Sequence, residues 1–144
     1  LYKHSHLFRL IYERIKQLQS KISYTQELNL KYKSSSDLWK QRKNEFKEFK
    51  KISEENHFKF LFMLIPSMTD FGDAYPFRNI DEKILSEAKR NNFLVLDLLP
   101  FFKGRDPSKL WILKTDKHPN AEGHKIIADA LYEFLKKEKA VCLN

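Results

Sequence analysis

Leu7, Leu10, Ile11, Ile15 and Leu18 recur at three- and four-residue spacing between His4 and about Leu18, the stripe of an amphipathic helix whose apolar face needs a partner surface. From Ser20 to Ser36 the chain is polar, has no sustained period and closes in three serines, which predicts a connection. Ser36 then suits the cap of a second helix running to about Asn56, with Trp39, Phe46, Phe49 and Ile52 on the buried side and lysines opposite. Phe58 to Ile65 is a dense apolar run stopped by Pro66, and its length and boundary predict a buried strand. Ser67 to Pro76, with Asp70, Gly72 and Asp73, is a loop. A helix starts at Asn79, with Asp81 and Glu82 in its first turn, and carries Ile80, Ile84, Leu85 and Ala88 to about Arg90. Phe93 to Leu96 is the second strand.

Both strands are apolar throughout and a helix separates them, so they are predicted to be parallel neighbours joined by a right-handed crossover, the architecture of an α/β fold. Beyond Asp97, a strand-end turn or cap residue, come Leu98 to Phe102, a loop around Gly104 and Pro107, and an apolar patch from Leu110 to Leu113. Asn120 is placed to cap the last helix, whose packing stripe is Ile127, Ala128, Leu131, Phe134 and Leu135. Two parallel strands cannot cover their own edges. Further strands are therefore expected from Leu110 to Leu113, from an oligomer partner or from sequence upstream of Leu1.

Composition narrows the classes. A chain of 144 residues with 42% hydrophobic content supports one compact domain. Cys142 is the one cysteine, which excludes an intrachain disulfide and a cysteine metal cluster. The net charge of +8 comes from 27 Lys and Arg against 19 Asp and Glu. The lysines are scattered on solvated faces, as in Lys40 to Lys51 and Lys136 to Lys139, without an arginine stripe and interleaved aromatics, so nucleic acid is not an expected partner. The longest apolar run, Phe60 to Pro66, is too short to span a bilayer.

The chemistry concentrates in Thr115-Asp116-Lys117-His118-Pro119-Asn120-Ala121-Glu122-Gly123-His124. Pro119 keeps His118 out of helical conformation, and a helix starts at Asn120, so Asp116 and His118 share a tight turn at the C-terminal edge of the sheet, where open α/β folds place their ligands. The carboxylate can accept a hydrogen bond from one imidazole nitrogen and leave the other free to take a proton from a nucleophile. The plainer alternatives are a turn histidine bonded to Asp116 for structure alone, or a metal set of Asp116, His118 and His124 that lacks a fourth ligand. His124 reads as a structural hydrogen-bonder. Trp111 either floors the site or packs in the core, and Asp70 and Asp73 read as solvated loop acids. Ser5, between His4 and His6, has imidazole neighbours in sequence only, since adjacent helix positions point different ways; His4, His6 and His57 are incidental.

The block Asp-x-His-Pro-Asn-x-x-Gly-His, followed by Ile126-Ile127-Ala128 and an amphipathic last helix, resembles the final block of the SGNH/GDSL hydrolases. The strand ending Ile65-Pro66, the strand ending Val95-Leu96-Asp97, the turn with Phe101-Phe102, and Leu110-Trp111 are similar to the family's C-terminal half, and the likeness covers roughly residues 36 to 138. The resemblance implies a three-layer α/β/α flavodoxin-like fold, here the C-terminal portion (1–144) of one domain. It makes Asp116 the orienting acid and His118 the general base of a serine esterase, with Asn120 and His124 holding the turn, a small-molecule, carbohydrate or lipid ester as substrate, and no metal or organic cofactor. The family's Gly-Asp-Ser and Gly-x-Asn-Asp blocks are missing: Ser5, Ser20, Ser23, Ser34 to Ser36, Ser53, Ser67, Ser86 and Ser108 all lack a preceding Gly-Asp. The nucleophile is therefore expected upstream of Leu1. A catalytically inactive SGNH-like binding module, or an acyltransferase using the same triad, is the alternative.

Overall fold

The computed structural model describes residues 6–139, and His4, Ser5 and Cys142 lie outside them. The chain divides into two compact units, Leu1–Arg42 and Lys43–Asn144. The elements in order are α1 (His6–Lys31), α2 (Asp37–Glu55), β1 (Leu61–Leu64), α3 (Arg78–Arg90), β2 (Leu94–Asp97), the single-turn α4 (Leu99–Phe102), a 3-10 turn at Pro107–Lys109 and α5 (Ala121–Lys137).

In the first unit α1 carries the expected stripe, and Leu7, Leu10, Ile11, Ile15 and Leu18 lie exposed along it. The helix does not end near Leu18. It runs through the polar stretch to Lys31, which corrects the expectation of a connection from Ser20 to Ser36. That stretch contains neither Gly nor Pro, half of the residues from Ser20 to Lys31 are Gln, Glu, Leu or Lys, all strong helix formers, and Glu27 pairs with Lys31 at 2.6 Å one turn apart. Absence of an apolar period removes a packing face but not the local preference for helix. The true connection is short. It ends at Ser36, whose hydroxyl accepts the Trp39 N–H at 3.1 Å and donates to the Lys31 carbonyl, the cap expected from sequence.

The second unit is mixed helix and strand around a small parallel sheet. β1 pairs with β2 in the register Leu61 to Leu94, Phe62 to Val95, Met63 to Leu96 and Leu64 to Asp97. The ladder continues at both ends, through Leu94 N–H to the Phe60 carbonyl at 2.9 Å and Leu98 N–H to the Leu64 carbonyl at 3.1 Å. Because side chains alternate along a strand, the two faces carry two cores. One gathers Phe60, Phe62, Phe93 and Val95 with Phe46 of α2 and Ile84 and Ala88 of α3. The other gathers Leu61, Met63 and Leu96 with Met68, Phe71 and Tyr75 of the loop after β1, Leu98, Leu99 and Phe102 around α4, Leu110, and Ile127 and Ala130 of α5. Helices thus lie on both faces, but the strands themselves are only half-buried apart from Leu96. The expected full burial fails because each strand of a two-stranded sheet is also an edge.

Three local readings shift with the packing. Phe46 is buried, whereas Phe49 and Ile52 are half-exposed: a strict three-residue spacing drifts backwards by about 60° per step on a helix of 3.6 residues per turn, so the stripe leaves the packed side. Ser53, seven residues after Phe46, is buried in its place and donates to the Lys50 carbonyl at 2.8 Å. On α5 the buried positions are Gly123, Ile127 and Ala130, and Ala128 is exposed. α3 begins at Arg78, one residue before the expected Asn79. It ends in a Schellman motif: Asn92 takes the left-handed conformation at φ 61°, Phe93 N–H donates to the Ala88 carbonyl and Asn92 N–H to that of Lys89. That sharp stop delivers the chain directly into β2. Asp97 is the turn residue expected, accepting the Leu99 N–H at 3.0 Å.

Phe102 is fully buried while its neighbour Phe101 is 43% exposed. Phe102→Ala should destabilise the second unit by about 3–5 kcal/mol and Phe101→Ala by well under half of that, measured by urea unfolding; equal losses would contradict this placement of α4.

Candidate active site

Leu110 to Leu113 does not add a strand to the sheet. It runs out and pairs with its own return segment: Trp111 and Pro119 form a single antiparallel bridge, Ile112 N–H donates to the His118 carbonyl at 3.0 Å, and Leu113 and Asp116 exchange backbone hydrogen bonds of 3.0 and 3.1 Å. Its Leu110, Ile112 and Leu113 N–H groups are taken by the carbonyls of Pro107, His118 and Asp116, which leaves the segment without the run of free donors that a ladder needs. Leu110 is buried, but Ile112 and Leu113 are exposed. The excursion therefore ends in a tight turn that carries Asp116 and His118.

Asn120 locks the base of this turn. Its side-chain oxygen accepts the Gly123 N–H at 3.0 Å, the expected helix cap. Its amide donates to the Lys109 carbonyl at 2.8 Å and the Trp111 carbonyl at 3.3 Å, and its backbone N–H donates to the Leu110 carbonyl at 2.8 Å. The cap was legible from sequence; the second grip, on residues eleven and nine positions earlier, was not. Gly123 is also explained here. A Cβ built on it would lie 2.9 Å from the Pro119 Cβ and 3.4 Å from the Leu110 carbonyl oxygen, so the first turn of α5 can press onto the hairpin only with glycine at that position. A glycine inside a helical pattern was the available signal.

Asp116 and His118 are in contact. One carboxylate oxygen of Asp116 accepts the His118 backbone N–H at 3.1 Å and meets the imidazole Nδ1 at 2.6 Å. The backbone bond first, and the imidazole bond second, hold the Asp116 carboxyl below the usual aspartate range. An ionised carboxylate only accepts, so the hydrogen of this bond belongs to Nδ1, and in the neutral form of the ring Nε2 is the nitrogen with the free lone pair. The pair is open to water, with side-chain exposures of 84% for His118 and 43% for Asp116. Such a pair is weakly bound by charge alone; the backbone of the turn sets its geometry. His118 makes no hydrogen bond to a serine among the described residues.

The other candidates sort by their contacts. His124 joins through its backbone, donating to the Asn120 carbonyl at 2.8 Å; its side chain is exposed and makes no hydrogen bond among the described residues. No three His, Cys, Asp or Glu side chains converge as a metal site among the described residues. Trp111 packs against the core cluster, its indole donates to the Met68 carbonyl, and its backbone is bridged to Pro119. Lys117 Nζ lies 5.0 Å from its ring centroid. Asp70 accepts the Gly72 N–H at 2.8 Å, and Asp73 pairs with Lys103 at 2.9 Å, so both loop acids have local partners. No helix among the described residues is long and apolar enough to cross a membrane. No protein-family model, curated protein or solved structure matches the chain.

Gly123→Ala sets a helix-propensity gain of about 0.5–1 kcal/mol against overpacking of about 1–3 kcal/mol. With the contact at 2.9 Å against a ring carbon, overpacking wins, and thermal unfolding should record a net loss. For Asp116 the folded pKa lies below the unfolded one, so its contribution is complete above the usual carboxylate range and disappears as pH falls through the lowered value. The Asp116 carboxyl carbon, followed by NMR, should titrate below a peptide aspartate and move part-way back in His118→Ala, which keeps the backbone bond. A midpoint at the peptide value would sink this account of the turn.

Proposed function

We propose that the chain is the C-terminal part of a serine esterase of the SGNH type, built on a three-layer α/β/α fold. The single observation that supports this best is the 2.6 Å contact of His118 Nδ1 with Asp116, with Nε2 open on the exposed edge of the ring. In this reading His118 takes the proton of a serine hydroxyl as that oxygen attacks an ester carbonyl. Asp116 holds the ring in the Nδ1–H tautomer and stabilises the imidazolium that forms. The same imidazole then protonates the leaving alcohol, and a water activated in the same way releases the acyl group. The substrate is an ester of a small molecule, a carbohydrate or a lipid, and the reaction needs no cofactor.

The serine and the oxyanion donors would come from sequence upstream of Leu1. Two physical features favour completion by further chain. The base is fully wet, whereas proton transfer and charge stabilisation are most effective in a water-excluded site. Among the described residues the sheet has two strands and two open edges. A second reading is a non-catalytic SGNH-like binding module, favoured by the absence of a serine bonded to His118 among the described residues. Acyl transfer to a sugar hydroxyl uses the same groups as hydrolysis.

Fluorophosphonate labelling of the full-length gene product tests the proposal. An upstream serine should be labelled, with the rate falling about 10³-fold or more in His118→Ala, and the 144-residue chain alone should take no label at a serine. If the folded full-length protein stays unlabelled, the catalytic reading fails and the binding-module reading replaces it.

A further inference from the structure

Below the loop that follows β1 lies a buried polar pair that the catalytic reading leaves unused. Tyr75 and Asp81 are only 6% and 8% exposed. The Tyr75 hydroxyl accepts the Ser67 N–H at 2.9 Å, and burial first, then Asp81 as a charge and hydrogen-bond partner, hold the proton on that hydroxyl. The other Asp81 oxygen, Oδ2, is buried without a hydrogen-bond partner. Burial pushes the Asp81 carboxyl up, Tyr75 and Arg78 oppose the shift, and the charges of Asp97 and Glu82 add to it. A buried carboxyl with one oxygen unsatisfied is a net cost to stability, and an apolar side chain in the first turn of α3 would avoid it. The pair must therefore be judged by the geometry it imposes.

That geometry leads to the candidate site. Tyr75 anchors the Ser67 amide; the next residue, Met68, offers its carbonyl to the Trp111 indole. Trp111 is bridged to Pro119, its carbonyl takes the Asn120 amide, and the following residue, Ile112, donates to the His118 carbonyl. The path of contacts from Tyr75 to the His118 backbone thus runs through half-buried Ser67, buried Met68 and half-buried Trp111 before it reaches the exposed Ile112, and each step fixes the peptide that makes the next. We infer that Tyr75, oriented by Asp81, is a positioning residue for the Asp116–His118 pair, acting through the Ser67–Met68 peptide and the Trp111 indole. Its relevance to catalysis rests on the esterase reading; its effect on the imidazole does not.

The test is the tautomer of His118, read from long-range nitrogen–proton NMR of the 144-residue chain at a pH where the ring is neutral, together with solvent exchange of the Trp111 indole N–H. Tyr75→Phe keeps the ring and removes the hydroxyl. It should weaken the bias toward the Nδ1–H tautomer, and speed indole exchange, by about fivefold each, the effect of one hydrogen bond of ordinary net strength. Asp81→Asn, which retains an acceptor for Tyr75, should behave like the parent, and Asp81→Leu like Tyr75→Phe. Trp111→Phe, at a half-buried position where the ring still packs on the core, should reproduce the tautomer change. An unaltered tautomer ratio in folded Tyr75→Phe overturns the inference, and so does an unaltered ratio in Trp111→Phe even if the variants at 75 and 81 do not fold. Failure of serine labelling in the full-length product would remove the esterase reading and leave this result standing.

Discussion

The parallel register of Leu61–Leu64 against Leu94–Asp97 is the constraint on which the second unit depends. It sets Phe62 beside Val95 on one face and Met63 beside Leu96 on the other, and each face then has its own core. A slip of one residue would exchange the faces and present Met63 to the phenylalanine cluster. Parallel pairing also sends the chain out of both strands at the same end. The loop after β1 and the turn after β2 therefore emerge side by side, where Arg78 approaches Asp97 at 3.8 Å and Lys103 meets Asp73. This is why Met68, four residues beyond β1, is within reach of Trp111.

On that platform the candidate site is held by neutral backbone and amide bonds more than by charge. Asn120 ties the carbonyls of Lys109, Leu110 and Trp111 to the first turn of α5, and Gly123 lets the helix approach Pro119. Asp116 and His118 sit at the tip, where solvent weakens their mutual attraction but the turn fixes their spacing. The proposed chemistry asks for an imidazole presented in one tautomer with an exposed edge, and the contact with Asp116 favours that presentation.

Much of this was readable in the sequence wherever the signal is local. The caps at Ser36 and Asn120, the turn at Asp97, the two strands with a helix between them, and the Asp116–His118 turn all follow from side-chain hydrogen bonding, proline geometry or apolar runs within a few residues. Local preference also decided α1, but in favour of helix formers over the missing apolar period from Ser20 to Lys31, which periodicity alone misreads as a connection.

Tertiary structure decided what depends on a partner distant in sequence. Whether Leu110–Leu113 joins the sheet or folds back on Pro119 is a competition between two backbone partners, which composition does not rank. Which member of a stripe is covered also depends on the neighbour: Phe46 is where α2 meets the sheet, Phe49 and Ile52 drift off that side, and Ala128 lies beside the covered line Gly123, Ile127 and Ala130 of α5. The indole bond of Trp111 to Met68 spans 43 positions, and the buried Tyr75–Asp81 pair gives no periodic or motif signal at all. Sequence by itself determined the elements and the chemistry-bearing turn, since those arise from interactions within about one helical turn or hairpin; the packing of the sheet decided which faces are covered and what braces the turn, since those bonds exist only after the chain has closed on itself.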